Sequence, residues 1–232
     1  MNSIPIIIFE TRMRQLIFLL ILIKPINLFS QSHWSFELHG GNAYNIPLPL
    51  TIQQKGYPDI KIKQAKYESE SLISPYYWDW RFSKWFDKYA IEFEAIHHKL
   101  YLKNKHPDIQ RFGISHGFNM LTINYARKFK YFIFRNGIGS VLMHPENTIR
   151  NKSYPEGPGF DIKGYRLRGL VFNTAIAKQI YLIKNRLYIN LEGKVTFAKG
   201  NAPIVDGIAK VNNIALQAIG GLGVNFARKK TK

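Results

Sequence analysis

Successive side chains of a β-strand leave opposite faces, so alternation of apolar and polar residues predicts a strand between two different environments. Five stretches alternate cleanly. Trp34, Phe36 and Leu38 interleave with Ser35, Glu37 and His39, and Tyr76, Trp78, Trp80 and Phe82 with Tyr77, Asp79, Arg81 and Ser83. Tyr89, Ile91, Phe93 and Ala95 flank Glu92 and Glu94. Leu187, Ile189, Leu191, Val195 and Phe197 alternate with Tyr188, Asn190, Glu192, Lys194 and Thr196, and a last run carries Ile214, Leu216, Ala218, Leu222, Val224 and Phe226. Segments near 111–125, 131–143 and 164–182 are strand-like but break phase, as bulges would make them do. Together these predict eight strands.

The connections alternate in length. Long segments at about 42–74, 103–110, 143–163 and 200–208 are separated by short ones at 85–88, 126–130 and 183–186. That rhythm suits an outer-membrane barrel, whose long loops face outward and whose tight turns face the periplasm. A ribbon from Ile60 to Tyr67 also looks extended and makes ten strands the alternative.

Periodicity alone does not say which face is outside. In a soluble lipocalin-like carrier the apolar set would point inward. Here the polar set holds opposite charges suited to pairing in a narrow lumen, namely Asp79, Arg81, Glu92, Glu94, Glu192 and Lys194, while aromatics crowd the apolar set as membrane girdles do. Read as catalytic, Glu92 and Glu94 would be an acid and base pair; in so small a barrel they are expected to neutralise cations instead. The fold expected is therefore all-β, an eight-stranded antiparallel up-and-down transmembrane β-barrel.

Export settles the direction of that choice. Arg12 and Arg14 precede the apolar run Leu16 to Ile23, which ends in Lys24, Pro25 and the stretch Leu28 to Ser30. A charged start, a short apolar middle and a small residue near the end describe a secretory signal, too short to span a bilayer as a helix. Residues 1–30 are read as a cleaved signal peptide, residues 31–232 as the barrel domain, and Met13 as a more conventional start than Met1.

The chain carries 33 Lys and Arg against 15 Asp and Glu. Removing Arg12, Arg14, Lys24 and Glu10 leaves 30 against 14, a net charge of +16. Phosphate-rich partners are expected, namely outer-membrane lipids and lipopolysaccharide. Nucleic acid is not, because export removes the chain from the chromosome and no basic helix or basic-aromatic platform appears. The absence of cysteine excludes disulfides, thiolate metal sites and thiol nucleophiles. A monomer without cofactor or metal is expected.

Arg150 and Lys152, in the polar loop after His144, together with Arg166 and Arg168, are candidate phosphate ligands. The histidines at 39, 97, 98, 106, 116 and 144 are expected at the outer rim, where His98 and His144 join that ligand set and where grouped imidazoles act as acids, bases or metal ligands.

Two resemblances add to this reading. The closing segment Gly220 to Phe226 resembles the last strand of small bacterial outer-membrane barrels, where an aromatic near the end serves assembly, with the departure that six residues follow Phe226 here. The stretch Gly113 to Asn119 is similar to the motif of the lipid A deacylase family, in which a His, a Ser two residues later and a following Asn share the site. His116 and Asn119 match it, Phe118 stands at the nucleophile position, and Ser115 lies on the other side of His116. The resemblance implies a lipid A acyl hydrolase using His116, Ser115 and Asn119. Against it, acyl transfer needs a hydroxyl beside the base, so a non-enzymatic barrel is the first expectation.

Overall fold

The computed structural model describes residues 32–155 and 165–226, with the side chains of Ser115, His116 and Arg166 excepted. The expected signal peptide, the Gly157 to Gly159 stretch and the basic tail lie outside the described residues.

Thirteen strands form one sheet: β1 (Ser32–Ile46), β2 (Leu48–Gln54), β3 (Ile60–Ala65), β4 (Tyr67–Glu68), β5 (Trp78–Phe86), β6 (Tyr89–His97), β7 (Leu100–Leu102), β8 (Ile109–Lys128), β9 (Ile133–Ile149), β10 (Lys152–Ser153), β11 (Arg166–Ile183), β12 (Leu187–Ile204) and β13 (Gly207–Asn225). Eight of them close a ring, each antiparallel to its neighbours, in the order β1, β5, β6, β8, β9, β11, β12, β13 and back to β1. The β2–β3 ribbon does not widen this wall to ten strands. It pairs with the outer end of β13, so it extends the barrel upward.

The outer and inner faces carry opposite chemistry. On β12, Leu187, Ile189, Leu191, Val195 and Phe197 point out, while Tyr188, Asn190, Glu192, Lys194 and Thr196 are buried. Trp78, Phe93 and Leu191 are exposed at 37%, 39% and 50%, whereas Glu92 and Lys194 are 1% and 3% exposed. A lipocalin-like carrier would require the reverse. The apolar band Leu187–Phe197 spans eleven residues, which a tilted strand converts to a belt roughly 25 Å tall, the height of the outward apolar band on membrane barrels.

Above Phe197 the pattern swaps without a break in strand parity. Lys199 and Asn201 now point out, and Ala198, Ala202 and Ile204 point in. β13 does the same, with Lys210 and Asn212 outward over Ala209 and Val211 inward. These inward residues meet Leu50, Ile52 and Ile60 of the ribbon and Phe112, Ile114, Val141 and Met143 of β8 and β9 in an apolar core above the belt. The segments after His144 and after Gly200, expected as loops, are therefore strand: β9 continues to Ile149, and β12 turns tightly into β13. Such polar-out, apolar-in dressing is that of a soluble sheet, and it buries the ribbon as a lid. A smaller cluster of Trp85, Ala90, Ala126, Ile133 and Ala177 closes the turn end.

The phase breaks have two causes. In β8 the register slips between Ile114 and Phe118, a bulge in which Gly117 holds φ +136°. In β11 it slips between Leu167 and Leu170. Elsewhere the apparent break is the change of environment at the top of the belt.

Candidate functional site

Between the two apolar clusters the lumen holds a layer of buried charge. Neighbouring strands deliver Glu37 from β1, Asp79 and Arg81 from β5, Glu92 and Glu94 from β6, Arg135 from β9, and Glu192 and Lys194 from β12. Register brings them level: Glu37 pairs across to Arg81, and Arg81 to Glu94.

The guanidinium of Arg81 donates to Glu37 at 2.6 Å, to Glu192 at 2.8 Å and to Glu94. Arg135 donates to Glu92 at 3.0 Å and Glu192 at 2.9 Å. Lys194 reaches Asp79 at 2.5 Å and Glu94 at 2.6 Å. Neutral groups satisfy the remaining lone pairs. Tyr188 donates to Glu37 at 2.8 Å, Ser83 to Glu92 at 3.1 Å, and Asn124 and Asn173 to Glu94 at 2.9 and 3.0 Å.

Five carboxylates face three cations here, an excess of two negative charges, with His39 3.2 Å from Asp79. Asp79, Glu94 and Glu192 stand close enough together to hold a metal ion, but the Lys194 ammonium lies against all three. Chemically the layer is a fixed plug of densely paired groups that keeps an excess of carboxylate charge. The sequence pointed to six of its members and missed Glu37, His39 and Arg135. Glu37 and His39 share the inward parity of Ser35, a usable signal; Arg135 lies in a phase-broken stretch where parity is harder to read.

The histidines do not converge on one rim. His39 is in the charged layer, bonded to Asp79 and Asn190. His98 is buried in the outer core, beyond the end of β6, with Nε2 3.0 Å from Asn45. Burial and the neighbouring His97 hold its pKa down to about 3. His106 accepts from the Asp108 amide in an outer loop.

His97 has the parity of Phe93 and Ala95, on the outer wall. It stacks on exposed Trp78 and lies 2.7 Å from Asn119, while His144, on the outward parity of β9, meets Tyr165. Asn119 thus has the outward parity of Leu121 and Ile123, at the top of the apolar belt. The bulge carrying Ser115 and His116 adjoins it in the same strand; their side chains lie outside the described residues.

Among the candidate phosphate ligands, Arg150 is turned inward on the protein. It meets Asp108 at 3.3 Å, Gln54 at 3.1 Å and the Pro58 carbonyl at 2.9 Å, and lies over the Tyr57 ring. Lys152 pairs with Asp206 at 3.0 Å, and that contact raises its pKa. Arg168 is exposed. Arg150 and Tyr57 also border an open cavity of about 520 Å³ beside His106 and Asp108.

No family model and no curated protein matches the chain. Among solved structures it is similar to the outer membrane protein AlkL in lipid bilayers, at 13% identity and a TM-score of 0.48, over 88% of this chain and 94% of that one. It is also similar to Ail, the attachment invasion locus protein of Yersinia pestis, at 10% identity and 0.37, over 84% and 97%. A third, the outer membrane protein OprG from Pseudomonas aeruginosa, shares 15% identity at 0.33, over 85% and 95%.

Proposed function

We propose that residues 31–232 form a bacterial outer-membrane barrel, exported behind a signal peptide of residues 1–30, whose outer extension meets lipopolysaccharide or another external ligand. The observation that carries this reading is the exchange of dress on β12 and β13. Below Phe197 the wall is apolar outside and ionic inside; above it, Lys199 and Lys210 face out over an apolar core. One strand pair is thus built for two solvents, lipid and then water. Arg166 and Arg168 start β11 at the same outer end, where lipopolysaccharide phosphates lie.

Fractionation tests the membrane part. Recovery in the outer membrane, with faster gel migration before boiling than after, supports it; recovery in osmotic-shock fluid refutes it. For the ligand part, Arg168→Gln and Lys199→Gln together should weaken retention of purified lipopolysaccharide severalfold, and unchanged retention argues against phosphate contact there.

One observation favours a second reading, a lipid A acyl hydrolase. The buried pair of His97 and half-buried Asn119 lies on the outward parity of the wall at the top of the apolar belt, next to the bulge of Ser115 and His116. Mass spectrometry of lipid A from cells with and without the gene decides: identical acylation removes the hydrolase.

A further inference from the structure

The cations of this chain are distributed unevenly between the two ends of the barrel. At the outer end four have acidic partners: Lys103 with Glu68 at 2.5 Å, Arg111 with Glu146, Arg150 with Asp108 and Lys152 with Asp206. At the turn end, Lys88, Arg127, Lys128, Lys130, Lys184 and Arg186 ring an open cavity of about 1120 Å³ with Asp87 as the one acid among its lining residues. No ion pair involves any of these six among the described residues.

Their placement is specific. Arg127 lies over the rings of Tyr89 and Phe129, Lys128 over Tyr181 and Lys130 over Tyr131. All four rings are exposed. Tyr89 stands at the lower margin of the apolar belt, Phe129 and Tyr131 in the turn below it, and Tyr181 at the mouth of the lumen against Tyr188. Cations stacked on interfacial aromatics stand at headgroup height, where aromatic girdles sit. Lys178 adds to this, since it faces outward between Ile176 and Ile180 on the lower part of β11, and a lysine in that position extends its ammonium toward the nearest headgroups.

We propose that this ring is a binding surface for anionic phospholipid headgroups of the leaflet at the turn end. The partner's chemistry follows from the geometry. A lipid phosphate carries its charge at the depth where these cations stand, and its acyl chains run up along the outward aromatics above them, Tyr89 and Tyr125. The proposal rests on the membrane reading above but goes beyond it, because a barrel could insert without preferring any headgroup.

The test uses the folded full-length barrel in vesicles of equimolar phosphatidylglycerol and phosphatidylcholine, extracted for native mass spectrometry to count the lipids it retains. Wild type should retain phosphatidylglycerol over phosphatidylcholine by about tenfold, the order that a cation or two at the surface supplies. Replacing all six rim cations by Gln should bring the ratio near unity. The milder set Lys88→Gln, Lys130→Gln and Lys184→Gln, confined to exposed turn positions, should lower it severalfold if the full set fails to fold. Lys61→Gln, Lys63→Gln and Lys66→Gln at the outer end should leave it unchanged. Equal retention by wild type and rim variants overturns the proposal, as does loss of selectivity in the outer-end variant. Loss of the enrichment to inorganic phosphate at matched ionic strength also overturns it, since the rim would then hold a free anion. Failure to insert into vesicles at all shows as absent heat-modifiable migration, and refutes the membrane reading before any lipid is counted.

Discussion

Arg81→Met is the sharpest perturbation of the charged lumen. The replacement has similar length and no charge, so it removes the interaction while filling the space. Arg81 touches Glu37, Glu94 and Glu192 and is fully buried. At an effective dielectric near 20, an ion pair at 2.8 Å corresponds to about 6 kcal/mol of Coulomb attraction, most of it offset by the desolvation of both groups. What remains when one partner is removed is the penalty of the carboxylates left behind, and for buried pairs that is about 3–5 kcal/mol. The excess of two negative charges becomes three in this variant. Urea unfolding from phosphatidylcholine vesicles, followed by tryptophan fluorescence and gel migration, reads the change as a lowered midpoint at unchanged slope. Adding Glu94→Gln and Glu192→Gln to Arg81→Met should recover at least half of the loss, because it removes the stranded charges too. A loss under about 1 kcal/mol for Arg81→Met, or a further drop in the triple variant, would show that the plug is not held by charge pairing.

Three other outcomes follow from the same geometry. In planar bilayers the protein should show no large steady conductance, because Arg81, Glu94 and Glu192 fill the lumen between two apolar clusters; a porin-sized current refutes the occlusion. A Cβ at Gly223 would meet the Tyr188 ring, whose hydroxyl serves Glu37, so Gly223→Val should cost about 1–3 kcal/mol of stability through overpacking, and an unshifted urea midpoint would contradict it. His98, held near pKa 3 by burial against an ordinary 6.5, binds its proton more readily when the outer core opens. Its contribution is full above pH 6.5 and is lost as pH falls from there toward 3. Hydrogen exchange at Leu100 and Ile114 should therefore speed up by pH 5, by about 2 kcal/mol in opening free energy, and His98→Phe should flatten that dependence; equal acid sensitivity in both would assign it elsewhere.

The wall of the barrel was legible because a membrane strand writes its two environments into alternate residues. Trp78, Trp80 and Phe82 against Asp79, Arg81 and Ser83 is such a case, and the opposite charges in the polar set already pointed to a packed lumen. The outer extension was not legible in the same way. Val141 and Met143 lie inward like Arg135, on one parity of one strand, yet the sequence alone shows only apolar residues turning up on the wrong side. Alternation reports a contrast between faces and is silent about which face is wet, so a strand that leaves the lipid looks like one that has slipped. The convergence of histidines failed for a simpler reason: His39 and His97 occupy similar heights along the chain but opposite faces of the wall. His116 and Asn119 share a strand with the bulge at Gly117 between them, and alternation across a bulge no longer fixes a common face.

The ladder between β12 and β13 runs unbroken from Leu187 opposite Val224 to Ile204 opposite Gly207. That continuity makes the hairpin a mast stepped in the ionic keel of the lumen. Its tip at Val205 and Asp206 stands roughly 25–30 Å of strand beyond the last outward aromatic of the belt, Phe197. A foreign epitope spliced there would be carried clear of the apolar belt on a support braced by an uninterrupted ladder of backbone hydrogen bonds, so the tip is a natural site for an insertion that leaves the barrel wall intact.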